Sequence, residues 1–323
     1  MMQKIQSLEL PEQLPSSRAL KSCGQNQHDY EPEFWEFHYD ICRYLKNVDA
    51  DKLDERYRDL HRNFRILARP EGRHIIPVHS FLSSWYWYRK EHQTRYEYFL
   101  RNRPLPLPLP SPREDFSALV RSKSPNSCDI LFRYGNSQFM KPFVERGKIR
   151  LGPASIYKDG PVLDPRTDDE LHKKRLLPGQ HSRITTLEGK DIPIIGDVHE
   201  TVSAGLNYYV LCMSTDFEPQ IFEEFSYDSC VIIKDPEQFA ARLEASSRSV
   251  LPHWDFYHNS VEYFDPYDPY ESQYFSAVMC KDFRFAYQME YRTIWVPQAN
   301  GSVKDYIFLC LGSLEDICDL YIR

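Results

Sequence analysis

Tyr287-Gln288-Met289-Glu290-Tyr291-Arg292 is the stretch on which the reading of this chain turns. Side chains alternate between faces along a strand. Read as a strand, the six residues put Tyr287, Met289 and Tyr291 on an apolar face and Gln288, Glu290 and Arg292 on the other. A carboxylate inside a sheet needs a partner or a chemical role, because an unpaired buried charge is costly. Two earlier stretches read as strands that could complete a site. They are Ile130-Leu131-Phe132-Arg133-Tyr134-Gly135 and Tyr208-Tyr209-Val210-Leu211-Cys212-Met213-Ser214-Thr215.

Around these strands the pattern is α+β with a mainly antiparallel sheet. Ser137 suits the cap of a short helix whose Phe139, Met140, Phe143 and Val144 face a core, and Gly147 suits its C′ position. Extended structure resumes from Lys148 to Leu151. Residues 158–206 are polar and broken by Pro and Gly, which reads as a long insertion or lid. Further strands are expected at 208–214, 229–234, 275–280, 285–296 and 305–311, with helices at 235–247 and 313–320. Asp235-Pro236 opens the first of those helices, with proline tolerated at N1.

The N-terminal third has a different period. Residues 1–30 read as a mobile tail or as a segment that docks elsewhere. Phe34, Phe37, Ile41 and Leu45 fall on one helical stripe, and a second helix after Asp49 carries Leu53, Tyr57, Leu60, Phe64 and Leu67. A third is expected from Val78 to Asn102. Together they predict a small helical bundle over 31–103. Prolines at 104, 106, 108, 110 and 112 forbid a helix and a central strand, so 104–112 reads as an extended linker. A proline-rich ligand for an aromatic groove is the alternative. The α+β domain then covers 113–323.

The chain has 323 residues, 41% hydrophobic and 14% aromatic, enough to bury a sizeable core. No run of 18 apolar residues occurs, and the N-terminus lacks the apolar core of a secretory signal. Eight scattered cysteines without a Cys-x-x-Cys pair suit reduced thiols in a cytoplasm, not a disulfide framework or zinc knuckle. Net charge is −7, but residues 56–103 hold eleven Arg/Lys against four Asp/Glu, so +7, and the rest carries −14. Arg56, Arg62, Arg65 and Arg69 could form a phosphate-facing stripe, and part of Trp85-Tyr86-Trp87-Tyr88 could stay exposed to stack on bases. The competing reading is a face packed against the acidic remainder.

Breaking a glycosidic bond to a good leaving group requires three things. A cation must hold the phosphates, a hydroxyl must orient the ribose, and a carboxylate must meet the positive charge that develops on the sugar. Arginine suits the first task, serine or threonine the second, glutamate the third. The chain resembles the ADP-ribosyltransferase superfamily in its arginine–serine–glutamate arrangement, through Arg133, Leu211-Cys212-Met213-Ser214-Thr215 and Gln288-Met289-Glu290 in that order. The resemblance spans roughly 130–311 and implies a split-sheet fold and NAD as substrate. It implies that Arg133 and Thr215 contact the dinucleotide, and that Tyr134 or Tyr157 stacks on the nicotinamide. Ser214 would orient the glutamate or ribose, Glu290 would stabilise the oxocarbenium-like state, and Gln288 would guide the acceptor. Asp216 stands where a serine is expected, and Arg292 offers Glu290 an ordinary partner.

Leu131-Phe132-Arg133-Tyr134, Lys148-Ile149-Arg150-Leu151-Gly152 and Glu290-Tyr291-Arg292 also resemble a widespread prokaryotic family of uncharacterised domains, found beside phage-defence and toxin–antitoxin systems. That implies a toxin or anti-phage effector acting on nucleic acid or protein, with an antitoxin as an inhibitory partner. The alternative is a non-catalytic module that grips nucleic acid or a partner through the basic, aromatic helices. His172-Lys173-Lys174-Arg175 reads as a solvated loop or an RNA or DNA contact, and Phe264 to Phe275 as an acceptor loop or a packed turn. His253 and His258 lack the further ligands of a metal site, so no metal is expected.

Overall fold

The computed structural model describes residues 32–67, 86–107, 130–158, 168–268, 276–298, 303 and 305–323. The expected tail at 1–30, most of the 104–112 linker, Arg69 and Trp85 lie outside the described residues.

Among the described residues three helices come first: α1 (Pro32–Ile41), α2 (Ala50–Leu67) and α3 (Tyr86–Leu100). Leu53, Tyr57 and Leu60 of α2 are buried as the spacing predicts. Helix α1 is rotated from its expected face. Trp35 and Tyr39 turn inward, while Phe34, Phe37 and Ile41 are exposed. The inward face adds polar anchoring to apolar burial, because Tyr39 Oη donates to buried Glu97 at 2.7 Å and the Trp35 carbonyl accepts from Gln93.

The main sheet has eight strands, all antiparallel. In chain order they are β1 (Leu131–Gly135), β2 (Lys148–Pro153), β7 (Tyr209–Ser214), β8 (Ser229–Ile233), β9 (Trp254–Ser260), β12 (Glu290–Pro297), β13 (Ile307–Cys310) and β14 (Cys318–Ile322). One edge of β7 pairs along its length with β12, which pairs in turn with β9. The other edge is shared. β1 joins at Phe132↔Ser214 and β2 joins at Gly152↔Val210 and Pro153↔Tyr209. The sheet therefore forks at β7, with one arm β1–β8–β14 and the other β2–β13.

Local chemistry places these elements. Helix α4 (Ser137–Arg146) ends at Gly147, which adopts the left-handed conformation (φ 57°) and closes the turn with its N–H on the Pro142 carbonyl. After the short helix α5 (Gln220–Glu224), helix α6 (Pro236–Val250) starts on Asp235, whose carboxylate accepts from the Gln238 N–H at 2.9 Å. Strand β8 is buried throughout, as suits a β-branched strand covered on both faces. On one face Leu131, Leu211, Met213, Val231 and Ile233 pack with Phe143 of α4 and Leu243 of α6. On the other, Phe132, Tyr134, Cys230 and Ile232 pack with Phe283, Tyr287 and Met289.

The helix expected at 313–320 is instead a turn followed by strand β14. Pairing with β8 wins, because it satisfies the backbone edge of a fully buried strand. The strand expected at 275–280 begins only at Cys280, as β11 (Cys280–Asp282), parallel to β10 (Glu262–Phe264). Within 158–206 lie β3 (His172–Leu177) and β6 (Val198–Ser203), paired antiparallel, and the short pair β4 (Ile184–Thr185) and β5 (Asp191–Ile192).

The helices have a cluster of their own around Tyr39, Leu45, Leu53 and Tyr98. They also share the sheet's core, since Leu60, Tyr86 and Trp87 belong to the cluster of Phe132 and Phe283. Buried ion pairs join the two parts. Arg56 grips Asp265 through two hydrogen bonds of 2.6 and 2.7 Å, and Lys90 meets Asp268 at 2.8 Å.

Candidate functional site

The three strands singled out in the sequence are neighbours. Ser214 lies opposite Glu290 on one side and Phe132 on the other, and Arg133 is the next residue of β1. Between the two branches, Leu211, Cys212 and Met213 of β7 pair with neither β1 nor β2. Arg133 bridges this gap: its Nη1 donates to the Cys212 carbonyl at 2.6 Å. Its Nε is buried with no hydrogen-bond partner among the described residues. A buried donor without a partner is uncommon and calls for an explanation.

The start of β12 differs from the sequence expectation. Phe283–Gln288 forms a 3₁₀ helix and Met289 is left-handed (φ 44°), so the strand begins at Glu290 rather than Tyr287. The expected apolar trio is consequently divided. Tyr287 and Met289 belong to one core and Tyr291 to the other. The polar trio stays together, because the turn still brings Gln288 beside Glu290.

Lys281, from β11, joins them. Its Nζ donates to Gln288 Oε1 at 2.9 Å and to Glu290 Oε2 at 2.7 Å. Arg292 Nε donates to Glu290 Oε1 at 2.6 Å, and its Nη2 reaches Glu170 at 2.7 Å. Lys173 in turn binds Asp168 at 2.7 Å and Glu170 at 3.2 Å. Three carboxylates and three cations thus form one buried cluster, with Glu290 4% and Arg292 0% exposed.

The electrostatics follow from that packing. Burial alone would raise the Glu290 pKa, but Arg292 and Lys281, through charge and hydrogen bonds, hold it well below the carboxylate range. Burial opposes the charge on Arg292 too, yet Glu170 and Glu290 keep it firmly protonated. Asp168 is depressed in the same way, with Lys173 and then Lys281 overcoming burial. The Cys280 thiol beside the cluster is pushed up to about 12 by burial. At neutral pH Glu290 is therefore ionised and holds no proton to donate.

The other expected site residues are distributed around it. Ser214 Oγ lies 2.7 Å from the Gln288 carbonyl and 2.8 Å from the Asp216 carbonyl. Thr215 binds the Met289 carbonyl through its N–H at 2.8 Å and its hydroxyl at 3.2 Å. Both therefore shape the turn that delivers Glu290. Tyr157 is half-buried, and burial raises its pKa, with Cys212, Arg133, Glu170 and Glu290 as electrostatic neighbours. Tyr134 does not present an open ring. It is buried in the core and its hydroxyl accepts from the Glu218 N–H at 2.7 Å.

Asp168, Glu170 and Lys281 were missed in the sequence, and Lys173 was read only as part of a charged patch. One signal was there: Lys173 and Arg175 recur at a spacing of two, which marks a strand face, whereas Asp168 and Glu170 stand in the turn before β3 and gave none. His172–Arg175 is accordingly strand β3, with Lys173 and Arg175 buried, not a solvated loop. Arg56 is likewise buried rather than facing phosphate, and Arg62 binds Asp59 and the Arg284 carbonyl. Tyr86, Trp87 and Tyr88 are all buried, so they offer no stacking surface.

A cleft of about 500 Å³ adjoins the cluster, lined by Tyr257, Asn259, Val278, Met279, Ile294 and Val296 among others. Its wall is shared with the site, because the Val278 carbonyl accepts from Arg292 at 2.9 Å. Among the described residues no helix is long and apolar enough to cross a membrane. No family model matches the chain, and no curated protein or solved structure matches it either.

Proposed function

We propose that this chain is an NAD-dependent ADP-ribosyltransferase in which Glu290, Ser214 and Arg133 form the working set. One observation supports the reading above all. Ser214 faces Glu290 across one strand pair and Phe132 across the other, which brings Arg133 to the fork beside them. The forked sheet itself supports an ADP-ribosyltransferase-like split sheet.

The residue types fit the substrate. Arg133 has a buried unpartnered Nε to offer a phosphate or ribose oxygen. Glu290, held ionised, is suited to the positive charge that grows on the ribose carbon. Ser214 and Thr215 fix the turn before Glu290, and Gln288 lies beside it for an acceptor. Tyr157 is the better placed of the two aromatic residues for the nicotinamide. In the reaction the ribose–nicotinamide C–N bond breaks, and nicotinamide leaves with the electron pair. The acceptor nucleophile forms the new bond to carbon and loses its proton. A protein or nucleic-acid acceptor, a toxin or anti-phage setting and an inhibitory antitoxin rest on the resemblance stated above.

Labelled NAD tests the reading, with nicotinamide release and transfer of label to macromolecules as readouts. Glu290→Gln should lower both by roughly 10²-fold or more while the protein keeps its near-ultraviolet spectrum. Equal turnover by the wild type and this variant, or none by either under any condition that opens the site, would sink it.

A further inference from the structure

The carboxylate assigned the central role is 4% exposed, and the two cations that bind it are held in turn by Glu170 of the insertion. Asp168, Glu170 and Lys173 stand on the insertion, and their charges sum to −1. Lys281, Glu290 and Arg292 stand on β11 and β12, and theirs sum to +1. The two halves of the cluster meet through Glu170, whose carboxylate is 2.7 Å from Arg292 and 3.7 Å from Lys281. Each half is internally paired as well, Lys173 with Asp168 and Glu290 with Lys281 and Arg292. Separation would therefore break the cross-contacts at Glu170 and leave the pairs within each half intact.

Within the insertion β3 is anchored by buried Lys173, Arg175 and Leu177, whereas the strands that follow it are more exposed. Strands β4 and β5 are exposed, and β6 alternates between half-buried and exposed residues. Beyond the cluster it is tied to the body by the Tyr208 hydroxyl on the Glu170 carbonyl, Leu176 N–H on the Pro266 carbonyl, Arg175 on the Asp268 carbonyl and Asn47 on Asp197, with Leu171, Leu176 and Ala204 packed on neighbouring apolar clusters. We propose that the insertion, residues 168–206, is a charge-locked lid over Glu290, and that Glu170 is its latch. The inference rests on the reading of Glu290 as the acting carboxylate, but the motion is measurable without NAD.

Cys280 and Cys230 make the test. Cys280 is 3% exposed and adjoins Lys281, whose Nζ lies 3.7 Å from Glu170 of the lid, so lid opening should uncover it. Cys230 is 0% exposed in the central strand β8, so only global loosening uncovers it. Both thiols are followed with a small thiol reagent and peptide mass spectrometry on the full chain. Glu170→Gln should speed labelling of Cys280 roughly tenfold or more with Cys230 unchanged, since local opening sets the rate. Unchanged Cys280 labelling overturns the lid, and so does an equal rise at both thiols. Should Glu170→Gln fail to fold, hydrogen exchange of the wild type decides: β3 and β6 amides must exchange faster than those of β7 and β12, and equal protection overturns the lid. Faster Cys280 labelling without any nicotinamide release from NAD supports the lid and removes the NAD reading. Release that rises together with labelling supports both.

Discussion

Ser214 and Glu290 stand directly opposite each other across β7 and β12, yet the Ser214 hydroxyl is engaged with backbone, not with the carboxylate. It lies 2.7 Å from the Gln288 carbonyl, at the turn from which β12 starts. Ser214 therefore positions Glu290 through the chain. Ser214→Ala leaves a buried carbonyl short of a donor, which should lower stability by about 1–2 kcal/mol in urea unfolding. Under the proposed activity its kcat should fall while its KM for NAD moves little, because no contact with substrate is lost.

The charge cluster makes a second prediction. Lys281→Met removes one of the two cations on Glu290 and should cost about 2–4 kcal/mol, because Oε2 of the buried carboxylate loses its ammonium while Arg292 holds only Oε1. Adding Glu290→Gln should recover part of that loss, giving a coupling of about 1 kcal/mol or more in a double-mutant cycle. The pH dependence has a defined sign. Glu290 and Asp168 have folded pKa values below their ordinary 4.5 and 3.8, so their stabilisation is present above that range. It is lost as pH falls below about 4.5. The wild type should therefore lose stability in acid more steeply than the double variant.

Arg56→Lys tests whether the helices and sheet unfold together. The guanidinium makes two hydrogen bonds to Asp265 and lies over the Tyr267 and Phe283 rings. An ammonium cannot reproduce that fork. A loss of about 2–4 kcal/mol is expected, with one cooperative thermal transition in both proteins. Two separate transitions in the wild type would show that the helices fold on their own.

The sequence made most of the scaffold legible where local chemistry is decisive. Gly147 and the strand–helix–strand run around it could be read, because a C′ glycine and a change of period are local signals. The three strands of the site were legible for the same reason. The start of β12 was not, since the alternation of Tyr287, Met289 and Tyr291 looks like a strand until Met289 turns left-handed. The insertion's share of the cluster was hidden too. Glu170 and Arg292 are 122 residues apart, and in a polar segment nothing local distinguishes a buried glutamate from a solvated one.

Gly147 carries a prediction of its own. It combines a positive φ with close packing: an added Cβ would collide with the Gly312 carbonyl and lie 2.8 Å from Leu311 Cβ. Gly147→Ala should cost about 2–3 kcal/mol, more than the conformational penalty alone, since backbone on the facing loop must shift. Thermal unfolding of the pair checks it, and a loss below about 1 kcal/mol would mean that the loop at Gly312 yields freely.

Asp59 supplies the last prediction, from the packed face of α2. Burial raises its pKa to about 7, against the opposing charge of Arg62, while the Asp282 carboxylate pushes the same way as burial. Arg284 opposes and Glu55 adds a little more repulsion. A folded pKa above the unfolded 3.8 means that the folded state holds a proton the unfolded chain has already released. Its favourable contribution is complete below pH about 4 and is lost as pH rises through about 7. Asparagine keeps the shape and cannot ionise. Asp59→Asn should therefore gain stability over wild type progressively between pH 4 and 7, then hold a constant advantage. Allowing for the partial exposure of the side chain, that advantage should reach about 1–2 kcal/mol at pH 8. Chemical denaturation at pH 4.5, 6 and 8 measures it. A difference that stays flat across the three values would mean that Arg62 neutralises Asp59 more fully than their 3.1 Å contact at the rim of the helix implies.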